Sequence, residues 1–292
     1  MAGQLAFAQS RVNPPIQRDR AAGLRIQPHG NPQLPAVAVF LPDQLNPCAV
    51  IEMPEHAWRQ QKASDQQTWF YKMYGSDPKL KGPVEWHSLP NQVAYRMTTP
   101  SGYVLSGSAS IEPDGVAISY EIKTGSENEI EVLEATTCVK LYRPFTDVFL
   151  ERTYIHHSTG LQLIASETPE RMEKNAEEWL PCRYIAGVGN DLAAKPYKVE
   201  HLDGVTRYFK SKSADAAFLA TESQPSGWTA ATYGNNCDSV FTNPARTCQH
   251  ADPRLHNVTG GRATLNLKVY LIRGSAADAW AVISRKKKTD TA

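Results

Sequence analysis

The chain has 292 residues, enough for one large β-domain or two smaller ones. Its 41% hydrophobic and 21% charged residues suit a globular protein rather than a disordered one. A formal net charge of +1 gives no global field for nucleic acid, and no run approaches the ~20 apolar residues that would make a membrane span.

Residues 1–36 are rich in Pro, Gln, Arg and Asn and lack periodicity, which predicts an extended N-terminal arm on a single domain of residues 37–292. In the arm, Ala6-Phe7-Ala8 fits the small-x-small end of a signal peptide and implies a secreted or periplasmic protein. Strand signals begin at 36–40. Residues 54–75 read as irregular or helical, with Ser64 and Gln67 in capping-box form. Strands at 103–111 and 116–123 flank the turn Glu112-Pro113-Asp114-Gly115. In the second arm, Val116, Ile118, Tyr120 and Ile122 alternate with polar or small residues, as in a half-buried strand. Further strands are expected at 130–142, 149–156 and 161–165. Thr168 and Pro169 then open a helix that Pro181 ends. Strands at 197–201, 205–210, 216–221, 228–233 and 263–272 follow. The chain closes with a short helix whose start, Ser275-x-x-Asp278, has capping-box form. So many short strands, with few helices between them, predict a mostly β fold: a large antiparallel β-sandwich with two or three short helices.

Three groups of residues carry candidate chemistry. On the 149–157 strand, alternation aligns Arg152, Tyr154 and His156 on one face, with His157 at the strand end. β-Elimination on an acidic polysaccharide needs a carboxylate clamp, a base and an acid. Arg152 suits the first, His156 or His157 the second, and Tyr154 either proton role. The plain alternative is a solvated sheet face.

The second group is Cys248-Gln249-His250-Ala251-Asp252-Pro253-Arg254-Leu255-His256, preceded by Cys237. His250, Asp252 and His256 could bind a divalent metal through nitrogen and oxygen. With both cysteines, the two histidines could make a tetrahedral zinc site. Alternatively, a Cys237–Cys248 disulfide pins a loop that brings His250 or Arg254 to a substrate. The odd count of five cysteines excludes complete pairing. The third group is Glu85-Trp86-His87. With Trp58, Trp69, Trp228 and Tyr233 elsewhere, Trp86 and His87 are candidate sugar contacts, because aromatic rings stack on sugar C–H faces. Core packing is the alternative.

The run 95–163 resembles galactose-mutarotase-like supersandwich proteins. The likeness is carried by Gly115-Val116-Ala117-Ile118-Ser119-Tyr120-Glu121-Ile122-Lys123 and the strand at 130–142, a rhythm of strand, polar turn and strand. It implies a site on a concave sheet and a carbohydrate-related role. The catalytic His and Glu contexts of the mutarotases are not found here, so no catalytic residue carries over. The expected function is a carbohydrate-active enzyme on an extracellular or periplasmic glycan, with polysaccharide lyase-like β-elimination. A non-catalytic carbohydrate-binding or surface-assembly module is one alternative, and a metal-dependent enzyme using His250 and His256 is another. The expected partner is a polysaccharide or oligosaccharide, with no nucleic acid and no membrane span.

Overall fold

The computed structural model describes residues 23–62, 66–124, 129–168, 173–189, 198–225 and 227–290. Side chains that alternate between two sides of the backbone make most of these segments strands. In chain order they begin with β1 (Arg25–Pro28), β2 (Ala36–Phe40), β3 (Ala49–Gln61), β4 (Gln67–Lys72) and β5 (Glu85–Leu89). Next come β6 (Gln92–Thr98), β7 (Val104–Glu112), β8 (Gly115–Lys123), β9 (Glu129–Leu141), β10 (Thr153–His157) and β11 (Gly160–Leu163). A short helix α1 (Ala176–Trp179) leads to β12 (Cys182–Gly187), β13 (Lys198–Leu202), β14 (Val205–Phe209), β15 (Ala217–Glu222) and β16 (Trp228–Gly234). The chain continues through β17 (Ser239–Asn243), β18 (Cys248–His250), β19 (Arg254–Thr259), β20 (Arg262–Arg273) and helix α2 (Ala276–Asp290).

The strands form two sheets. The larger, of eleven strands, runs β1-β2-β3-β9-β18-β17-β12-β14-β13, with β4 beside β3 and β19 beside β9. The smaller, of nine, runs β11-β10-β15-β16-β20-β8-β7-β6-β5. Among the described strands, pairing is antiparallel except between β12 and β14. The inner faces meet in two clusters, the smaller of which joins Tyr184 and Val240 to Ile155 and Leu219. Ile51, Leu133, Ala135 and Val139 of the larger sheet pack with Ile118, Tyr120, Leu265, Leu267 and Val269 of the smaller. At ~25 cal/mol per Å² of apolar surface removed from water, this interface is the main stabilising term of the fold. Buried polar groups cross it in matched pairs. Tyr120 Oη and Thr137 Oγ1 are 2.6 Å apart. Gln249 accepts from Thr232 Oγ1 at 2.8 Å and donates to Thr221 Oγ1 at 2.8 Å and to the Ala230 carbonyl at 3.2 Å.

Helix α2 lies on the outer side of the smaller sheet. Ala276, Ala279, Val282 and Ile283 share one helical face and pack on Phe218, Ala220, Ala231, Tyr270 and Ile272. Its start is the expected capping box. Ser275 donates from its backbone N–H to Asp278 Oδ2 at 2.8 Å, and the Asp278 N–H returns to Ser275 Oγ at 3.3 Å.

The mostly β sandwich is as expected, and several details differ. Most of the described part of segment 54–75 is strand, not helix or irregular chain: β3 continues to Gln61 and β4 follows. Pro54 interrupts the alternation there and hides the strand from a period-two reading. The predicted strand at 149–156 begins only at Thr153, because the Asp147 carboxylate accepts the Glu151 and Arg152 N–H groups and holds a turn. Residues 25–28, read as part of the arm, are the edge strand β1. Ala6-Phe7-Ala8, Ser64 and the first turn of the helix expected at Pro169 lie outside the described residues. No cysteine is bonded to another. The expected Cys237–Cys248 disulfide is absent, because Cys237 sits in the core cluster that contains Tyr184 and Leu219 while Cys248 faces Cys138.

Candidate functional site

On β9, Leu133, Ala135, Thr137, Val139 and Leu141 point into the sandwich, so Glu134, Thr136, Cys138 and Lys140 point out. This outer face of the larger sheet carries most of the polar chemistry. Register aligns it in cross-strand rows. Glu52 is opposite Cys138, and Phe241 is opposite His250. In the next row Lys140 is opposite Cys248, Cys248 is opposite Asn243, and Arg183 is opposite Arg207.

A register shift brings one more acid to the face. Between the pairs Glu52–Cys138 and His56–Thr136, β3 advances four positions while β9 advances two. The extra residues form a bulge that re-aims the chain. Carboxylate oxygens of Glu52 and Glu55 and the Cys138 sulfur thereby lie within 4.8 Å of one another. Lys140 Nζ and Tyr74 Oη both donate to Glu52 Oε1. Glu52 Oε2 is buried and has no hydrogen-bond partner among the described residues.

Beside the acids is a sulfur–imidazole group. His250 is 2% exposed and stacks on Phe241, with ring centroids 4.0 Å apart. Its Nε2 is 3.4 Å from Cys248 Sγ and its Nδ1 is 3.4 Å from Asp252 Oδ1. Nδ1 makes no hydrogen bond among the described residues, so Asp252 acts on it through charge. Asp252 is itself fixed by the Thr137 N–H at 2.8 Å. Along the other flank, Trp58 Nε1 donates to Glu134 Oε1 at 2.9 Å, and Arg254 holds Glu134 Oε2 through Nε at 2.8 Å. His56 meets Trp69 edge to face, with centroids 4.7 Å apart.

These surroundings separate the protonation behaviour of neighbouring groups. Burial pushes Glu55 above the usual carboxylate range, and the negative charge of Glu52 adds to that. Burial pulls His56 down to about 4, so its imidazole is neutral near pH 7. The Cys138 thiol donates to Cys248 and, with His250, holds Cys248 well below the ordinary thiol range. Burial alone would lower His250, but Asp252 and Cys248 outweigh it and hold it up at about 10.

The residues singled out from sequence fall in several places. Tyr154 and His156 do share a face, the outer side of the smaller sheet near α2. His156 Nδ1 is 2.8 Å from Asp215 Oδ1, and its ring stacks on Trp280 at 4.0 Å. Arg152 precedes the strand, with its guanidinium donating to the Glu222 and Thr146 carbonyls. His157 is on the opposite side, 3% exposed, with Nδ1 2.8 Å from the Ser213 carbonyl. Burial raises Tyr154 and lowers His157. Trp86 and His87 are on β5, at the other edge of the smaller sheet from β10 and β11. Trp86 Nε1 donates to the Pro32 carbonyl at 3.0 Å, and the ring packs against Tyr95. Arg254 is engaged by Glu134 and Asp238. His250, Asp252 and His256 are not together in the groups of described residues whose ligand atoms converge. His250 is near Asp252, but His256 is 54% exposed on β19, with Nε2 3.8 Å from Asp238. Sequence reading missed Glu52, Glu55, Cys138 and Lys140. The alternation of Glu134, Thr136, Cys138 and Lys140 within a recognised strand was the available signal.

No family model and no curated protein matches the chain. Solved structures with a similar strand arrangement include an α-N-acetylgalactosaminidase from Bifidobacterium bifidum in complex with GalNAc. That match has 11% identity and a TM-score of 0.49 and covers 92% of this chain but only 38% of that one. A galactose mutarotase related enzyme from Lactobacillus acidophilus matches at 6% identity and TM-score 0.42, covering 78% of this chain and 84% of its own. An aldose epimerase homologue from C. elegans matches at 8% identity and TM-score 0.43, covering 83% of this chain and 97% of its own. Proteins described as galactose mutarotase related are therefore among the solved structures found, each at a TM-score below 0.5.

Proposed function

We propose that the chain is a carbohydrate-active protein that uses the outer face of the larger sheet for acid–base chemistry on a sugar. The observation that carries this reading is the Glu52–Glu55 pair, two carboxyl groups brought together by a bulge in β3. Their surroundings differ. Glu52 is held by Lys140 and Tyr74, whereas burial favours the protonated form of Glu55. Glu55 would donate its proton to the ring or glycosidic oxygen of the sugar. The neutral imidazole of His56 would take a proton, with the charge of Glu52 behind it. Trp69, half-exposed beside His56, supplies an apolar surface for the sugar's C–H face. Lyase-like β-elimination is a narrower version of the same reading and draws less support. Its proposed clamp, Arg152, already donates to two backbone carbonyls, and its proposed phenol, Tyr154, is raised rather than lowered.

The test is a panel of aldoses, aryl glycosides and uronate glycans, read by polarimetry, by released phenol and by ultraviolet absorbance of unsaturated products. Glu55→Gln should reduce turnover about 10²- to 10⁴-fold, the usual contribution of a general acid, with sugar binding nearly unchanged. Turnover at the full rate in that variant refutes the assignment. Sugar binding with no turnover on any substrate would replace the enzyme reading by a non-catalytic binding module. Ultraviolet product from uronates alone would restore β-elimination.

A further inference from the structure

We propose that Cys138, Cys248 and His250 form a metal site for a thiophilic divalent cation, zinc above all. The Cys138 sulfur, the Cys248 sulfur and a ring nitrogen of His250 lie within 4.8 Å of one another. In a tetrahedral zinc site with bonds of about 2.0 to 2.3 Å, neighbouring donor atoms are separated by roughly 3.3 to 3.8 Å. The 3.4 Å between Cys248 Sγ and His250 Nε2 already meets that spacing.

The backbone makes the arrangement rigid. Cys248 and His250 are two apart on β18 and so point to the same face, and β9 beside them supplies Cys138. All three side chains are at most 2% exposed. Soft thiolates with an imidazole select zinc, or its close analogues, over magnesium and calcium. The outer surroundings also fit. Metal-bound histidines usually turn their second nitrogen toward a carboxylate, which orients the ring. His250 turns Nδ1 toward Asp252, and Thr137 in turn holds Asp252. That Nδ1 is buried and has no hydrogen bond among the described residues. Three protein donors is the count found in sites that leave a fourth position open. Beyond Cys138 in the same row is Glu52, whose Oε2 is buried and unpartnered. The site is distinct from the His250, Asp252 and His256 set, and it does not depend on what the sheet face binds.

The experiment uses the full chain, purified under reducing conditions, with zinc measured by elemental analysis and the site probed by cobalt(II). The expected result is one metal per chain and a thiolate-to-cobalt charge-transfer band. Cys138→Ser and Cys248→Ser should lose the band and most of the metal. Cys237→Ser and His256→Ala should keep both. Zinc should raise the thermal midpoint of the wild type, which gives a readout even if the serine variants fold poorly. A reduced wild-type chain that takes up neither zinc nor cobalt overturns the proposal. So does binding that survives in folded Cys138→Ser and Cys248→Ser, or binding lost in His256→Ala.

Discussion

Replacing Arg254 by Met separates a structural cation from one reserved for substrate. The side chain of Arg254 is 24% exposed, that of Glu134 8% and that of Asp238 53%. The contact with exposed Asp238 contributes at most about 1 kcal/mol. The contact with Glu134 matters more, because removing one partner of a buried pair costs about 3 to 5 kcal/mol. Arg254 is partly solvated, and Glu134 would keep its hydrogen bonds from Trp58 and Thr136. The expected loss near pH 8 is therefore about 3 kcal/mol, at the low end of that range. Its pH dependence follows from Glu134, which burial and Asp252 already raise above the usual carboxylate value. Without the guanidinium its folded value rises further. Stability then declines as pH climbs from the unfolded glutamate value near 4.3 towards that raised value, by up to about 1.4 kcal/mol per pH unit, and levels off above it. Urea unfolding at pH 5 and pH 8 measures this. Arg254→Met should be mild at pH 5 and severe at pH 8, and Arg254→Met/Glu134→Gln should recover most of the loss. A single variant within about 0.5 kcal/mol of the wild type at pH 8, the range of an ordinary surface substitution, would refute the reasoning.

Two further predictions concern the smaller sheet and the joint between the sheets. Burial opposes the charge on Asp114, but Lys268 and the α2 residue Lys286 outweigh it and hold the group below its usual value. Its contribution should be present above the unfolded aspartate value near 3.9 and fade as pH falls through the lower folded value. Asp114→Asn should remove that acid transition and cost about 1 to 3 kcal/mol at neutral pH, measured by unfolding monitored at Trp280. Gln249→Leu keeps the volume but leaves the Thr221 and Thr232 hydroxyls without their Gln249 partner, and should cost about 2 to 4 kcal/mol in thermal or chemical unfolding. A neutral result there would mean that the hydroxyls find other partners.

What could be read in the sequence was whatever kept a clean period. β8 alternates over most of its length and β20 over its first seven residues, so their buried faces were evident. Segment 54–75 was misread because Pro54 and the bulge break the alternation there. The Cys248–Asp252 stretch looked like a disulfide loop because Asn, Gly and Pro surround it. In fact β18 is only three residues long, and its pairing partners, β9 and β17, define it more than its own composition does. The Cys138–Cys248–His250 cluster could not be inferred by spacing, since 110 positions separate the two cysteines and only the ladder joins them. His156 and Tyr154 did share a face, as alternation requires. Arg152 did not join them on the strand, because a turn held by Asp147 occupies the two residues ahead of Thr153.

The insertion in β3 also decides how this surface can change over time. A point substitution at Glu55 alters one side chain, whereas deletion of two residues around Pro54 would restore an unbroken ladder with β9 and withdraw the acid from the face. Ala49, Ile51 and Ala57 on the inward side of β3 lie outside the insertion, whereas Met53 lies within it and is fully buried in the same core, so the cost to the sandwich falls on Met53. Gain and loss of this chemistry in descendants of the chain should therefore track a two-codon length difference more closely than any single amino-acid exchange.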